Sequence, residues 1–263
     1  MGVRSVQMCG LLLGALALLP ACGPRPEERQ DARQDEVGAA QWDWLQQTRQ
    51  RLDGQRARLA QLEAAKTETP SEDLVRLRKE VDDLTGELNR RLVEYINANA
   101  SSGGSRGERQ LAAIRMKSDE DILLAREYIE EAGDYRRAIE IYETALAADP
   151  DNPRLRAELE TARARRYVTP ERFALVREGM TQDEIRRLLG PPNLLDVRDY
   201  PERGVTAWFY PKDASGAAAA VWFRKGAPPE AYLLDFDAIQ PPSATPRRAP
   251  ARPRPTPVPT TTP

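Results

Sequence analysis

Histidine is absent from all 263 residues. That absence removes the commonest general base, the serine–histidine hydrolases and nearly every zinc catalytic site. Cysteine is scarce: there are two, and Cys9 falls inside a leading apolar run, which leaves no thiol pair downstream for a disulfide. Neither sign of charge dominates, since 39 basic and 41 acidic residues leave a net charge of -2. No global basic field therefore draws nucleic acid, and none is expected as a partner. Aromatic residues make up 6% of the chain against 30% charged, a balance that points to long solvated helices joined to a small core. No catalytic residue, cofactor or metal is expected.

Acidic residues are missing until Glu27, while Arg4 precedes the apolar run Gly10–Ala21. This is the layout of a secretory signal, and the run is shorter than the ~20 residues of a bilayer-spanning helix. Leu19-Pro20-Ala21-Cys22 resembles the bacterial lipobox, with Pro20 where a small residue is more usual. The resemblance implies removal of residues 1–21, acylation of Cys22 and firm membrane attachment through several acyl chains. Gly23 after the lipid site implies the outer membrane, facing the periplasm, by lipoprotein sorting rules.

Residues 22–38 are almost all polar and read as a disordered tether. Residues 39–99 hold two helices split at Pro70, one with apolar Leu45, Leu52, Leu59 and Leu62. The other carries a heptad of Leu74, Leu77, Val81, Leu84, Leu88 and Tyr95 that Arg91 interrupts. They form either a helical hairpin or part of an oligomeric coiled coil, so self-association through this segment is one of the two expectations. Residues 100–118 open with a Gly/Ser stretch and read as a linker.

In residues 119–167, Gly133-Asp134-Tyr135 mark a turn, Ala138 and Ala145 allow close helix approach, Tyr142 is a large packing residue and Pro150 stops a helix. Together they resemble one tetratricopeptide repeat. Arg126 departs from the pattern, standing where the family usually has glycine. A single repeat cannot bury both its faces, so it must pack on the coiled segment, the following domain or another chain. The resemblance implies a peptide-binding groove; a helical spacer is the other reading.

Residues 168–240 begin with two short capped helices, Thr169-Pro170-Glu171 opening one and a Thr181/Glu184 capping box the other. Strand-like runs follow at 194–200, 205–210, 218–223 and 232–239, which makes an α+β unit with an antiparallel meander. Gly179-Met180-Thr181, Glu184-Ile185, Leu188–Pro192, Trp208, Tyr210 and Phe223 resemble the SmpA/OmlA (BamE-like) domain of small outer-membrane lipoproteins. That resemblance implies a non-catalytic module that binds envelope protein or lipid. The expected fold is therefore mainly α with a C-terminal α+β domain.

Tyr135, Tyr142, Trp208, Tyr210 and Trp222 are the candidate partner-binding residues, because aromatics anchor interfaces. Strand alternation sets core packing against that role: Trp208 and Tyr210 share one face, and Trp222 and Phe223 point oppositely. Residues 241–263 carry prolines and four arginines with no acid and read as a disordered basic tail.

The functional expectation is a membrane-anchored envelope lipoprotein, acting as an interaction scaffold or accessory in outer-membrane assembly. The alternative is a division coordinator resembling the Tol-Pal-associated protein, which also joins a coiled coil to tetratricopeptide repeats. A hydrolase using Asp235 and Asp237 is the reading from a different class, and the lack of histidine, cysteine or a glycine-rich loop beside them argues against it.

Overall fold

A computed structural model of the chain describes residues 26–65, 71–99, 107–226 and 228–240, with side chains described from residue 36 onward. Cys22 and the basic tail lie outside them. The chain divides after Leu77 into two compact units, and the boundary falls within the second helix.

Helix α1 spans Pro26–Ala64 and α2 spans Glu72–Ala98. The tether expected over residues 22–38 is thus helical from Pro26 onward, because its charged residues are good helix formers with no breaker after Pro26. Ser71 starts α2 as expected, its hydroxyl accepting from the Leu74 N–H at 3.2 Å. Leu74, Leu77, Val81, Leu88, Leu92 and Tyr95 are buried within the single chain. Arg91 does not break this seam: the step of four from Leu88 to Leu92 carries the stripe past it, and Arg91 pairs with Glu87 at 2.8 Å on the flank.

Helices α3 (Glu108–Ala132), α4 (Tyr135–Ala148) and α5 (Pro153–Arg166) follow. The linker expected to reach residue 118 therefore ends at Gly107, since Ala113, Ile114 and Ser118 already face the interior. Gly133 closes α3 in the left-handed conformation at φ 62, and Asp134 caps α4 by accepting from the Arg137 N–H at 2.9 Å. Asn152 caps α5, with Pro153 in its first turn. Ile122, Ala125, Tyr142, Ala145, Leu155 and Leu159 form the core of the three helices. Alanines at the contacts let the helix backbones approach closely.

Helices α6 (Pro170–Phe173) and α7 (Gln182–Leu189) cover one face of a four-stranded antiparallel sheet ordered β1-β2-β3-β4. The strands are β1 (Val197–Tyr200), β2 (Val205–Pro211), β3 (Ala218–Arg224) and β4 (Glu230–Ile239). The expected capping box on α7 is present: Thr181 N–H donates to Glu184 Oε2 at 2.8 Å, and Glu184 N–H donates to Thr181 Oγ1 at 3.3 Å. The Gly179-Met180-Thr181 segment is fastened to β4 by Gly179 N–H donating to the Ala231 carbonyl and Ala231 N–H donating to that of Met180. Phe173, Ile185, Leu189, Trp208, Val221 and Phe223 fill the space between helices and sheet. Leu175, an apolar residue of the same segment, is instead exposed, because α6 ends at Phe173.

Candidate protein-interaction site

The helical repeat and the α+β domain are joined at several points. Gly133 presses against the backbone of Pro192, where an added Cβ would lie 2.7 Å from the Asn193 nitrogen and closer still to the Pro192 carbonyl. Gly190 leaves room for the Tyr135 hydroxyl in the same way, with an added Cβ 3.4 Å from Tyr135 Cζ. Bonds within the α+β domain hold its side of this contact: Tyr210 donates to the Gly190 carbonyl at 3.2 Å, Arg172 to the Leu189 carbonyl at 2.6 Å, and Val168 N–H to the Pro211 carbonyl at 2.9 Å. The turn end of the repeat is thus covered by the domain that follows it, one of the partners that a lone repeat requires.

This junction frames a cavity of about 390 Å³ lined by Tyr135, Arg136, Arg165, Asp196 and Tyr210, among others. Burial raises the Tyr135 and Tyr210 hydroxyls above the ordinary tyrosine range. It lowers Arg172, which faces the like charge of Arg165.

Arg126, the departure from the repeat pattern, forms an ion pair with Glu158 of α5. Tyr142 donates to the other oxygen of that carboxylate at 3.5 Å. The long cation at this position is met by a carboxylate that α5 supplies. Burial, followed by the Glu158 charge, pushes Tyr142 up to about 12.

Most of the aromatic candidates belong to the interior. Tyr135 and Tyr142 are buried in the helical core, and Trp208 and Tyr210 in the core between helices and sheet. As candidate partner contacts these four are corrected: each ring fills space between elements of its own chain. Strand alternation explains Trp208 and Tyr210, whose face is the one that α6 and α7 cover. Trp222 differs. It lies half-buried on the opposite face of the sheet, its ring 5.3 Å from that of Tyr200 and 6.1 Å from that of Phe209.

The apolar side chains that α3 leaves at the surface escape motif reading. Leu123 is 37% exposed, Leu124 41% and Tyr128 36%. Leu124 and Tyr128 are one helical turn apart and share a face. Arg137 bonds the Tyr128 hydroxyl, which helps to hold that ring. Tyr128 is the ordinary sequence signal for such a site, being an aromatic outside the 122–125–129 core spacing.

The two carboxylates considered for hydrolysis each have a partner within the sheet domain. Asp237 pairs with Lys212 at 2.5 Å, and Asp235 accepts the Asp237 N–H at 2.9 Å. Among the described residues no group of three or more histidine, cysteine or acidic side chains is arranged to hold a metal ion. No described helix is long and apolar enough to cross a membrane.

A family model described as Tetratricopeptide repeat matches residues 130–165, which span the end of α3, all of α4 and most of α5. No curated protein and no solved structure matches the chain. The repeat supports a protein-interaction role with protein partners.

Proposed function

We propose that the protein is a lipid-anchored envelope scaffold that serves as an accessory in outer-membrane assembly. The observation that carries the scaffold role is the tetratricopeptide repeat at residues 130–165, joined to a second domain that presents further surface. The partner lies along the exposed Leu124–Tyr128 face of α3. Anchoring is supported by the signal-like run ending in Leu19-Pro20-Ala21-Cys22 and by Gly23 after it, and the assembly role by the SmpA/OmlA-like residues of the C-terminal domain. The division-coordinator reading calls for oligomerisation through residues 74–95, yet the seam there is already buried within one chain.

The test is membrane fractionation of cells making the full chain or Cys22→Ser, combined with photo-crosslinking from position 124. Recovery of the full chain in the outer membrane, release of Cys22→Ser to the soluble fraction and crosslinks to assembly proteins support the reading. A full chain that is soluble overturns the anchoring. Crosslinks to division proteins alone overturn the assembly role.

A further inference from the structure

The face of the sheet that α6 and α7 leave uncovered is built unlike an ordinary solvated surface. Strand register places Ala207 opposite Trp222, Phe209 opposite Ala220 and Pro211 opposite Ala218 on this face. Alternating large and small residues therefore make a groove floored by Ala217 and Ala218 with aromatic walls from Tyr200 and Phe209, and Trp222 packs against both rings from beyond the groove. A cavity of about 400 Å³ runs across the strands from Ile239 on β4, over Ala218 and Pro211, to Arg198 and Tyr200 on β1. Arg198 lines the groove beside Asp196, on which its charge acts, and donates to the Leu195 carbonyl at 2.8 Å.

We propose that this groove is the docking site for the chain's own C-terminal segment, residues 241–263. Two observations select that occupant. The groove begins at Ile239, one residue before the end of the described chain, so the segment emerges at its mouth. The segment has nine prolines, beginning with Pro241-Pro242, and the polyproline II conformation docks into aromatic-lined grooves with little ordering cost.

Reach is sufficient. Crossing from β4 to β1 is three inter-strand steps of about 4.8 Å, which about five residues cover at roughly 3.1 Å each in polyproline II. That length brings Pro241, Pro242 and Pro246 within reach of the aromatic walls. A short tether gives the segment a local concentration of about 1 mM, so even weak docking keeps the groove closed to proline-rich chains at micromolar concentration.

The test is fluorescence anisotropy of a labelled synthetic peptide of residues 241–263, titrated with the full chain in detergent and with the same chain ending at Gln240. The shortened chain is expected to bind the peptide, the full chain to bind it at least tenfold more weakly, and Phe209→Ala in the shortened chain to lose binding. Hydrogen exchange of residues 197–211, slower in the full chain than in the shortened one, checks the contact without any substitution. Equal binding by both proteins would show a groove that serves another chain and overturns the proposal. Absence of binding by either, with unchanged exchange, overturns it as well.

Discussion

Gly133 and Pro192, from different parts of the chain, meet backbone to backbone, and the glycine does so in a left-handed conformation at φ 62 with no room for a Cβ. Two constraints fall on one residue. Gly133→Ala is expected to lose the ~1–2 kcal/mol of a left-handed residue and a further ~1–3 kcal/mol from forcing the junction apart. Gly179→Ala, at φ 84 with open space around it, should lose only the first part. Urea denaturation of both variants separates the terms, and equal midpoints would refute the steric half of this account.

Tyr142 gives the fold an alkaline limit. Its hydroxyl is raised from 10 to about 12 in the folded chain, so between these values the native state holds a proton that the unfolded state has lost. Stability from this group is complete below pH 10 and falls as pH rises toward 12. Tyr142→Phe should flatten that slope while changing neutral-pH stability by about 1 kcal/mol or less. Melting temperatures measured from pH 8 to 12 provide the check.

Arg126 and Glu158 should be coupled modestly. The pair is partly exposed, at 43% and 21% of the side chains, so a double-mutant cycle with alanine is expected to give about 0.5–1 kcal/mol, shrinking in 1 M salt. Coupling that salt leaves unchanged would mean that packing, not charge, joins the two.

Leu124→Glu places a charge on an exposed site and should shift stability by no more than about 0.5 kcal/mol. Partner capture should fall at least tenfold with the fold intact, as read by circular dichroism alongside affinity measurement. Unchanged capture would remove this face of α3 from the interaction.

Sequence patterns were informative wherever the cause was local. The caps at Ser71, Thr169 and Thr181, the turn at Gly133 and the four-stranded meander each follow from residues within a few positions of one another. Alternation along β2 and β3 also placed Trp222 and Phe223 on opposite faces, although it left open which face helices would cover. The linker end and the tether depart from what polar composition suggests, because charged residues propagate helices well; at the linker end, the buried apolar side chains of Ala113 and Ile114 add to this. Long-range dependence hid the junction: Gly133 reads as a turn residue and Gly190 as a helix stop. Nothing near either in sequence reveals that Pro192 and Tyr135 require their missing side chains.

That hidden dependence changes what counts as a module in this protein. A gene segment encoding residues 168–240, moved into another chain, would arrive with a Gly190-Pro191-Pro192 corner shaped to a glycine and a tyrosine left behind. Recombination near residue 167, where the motifs suggest a natural seam, would separate two surfaces that are complete only together, inside a compact unit that begins at Arg78.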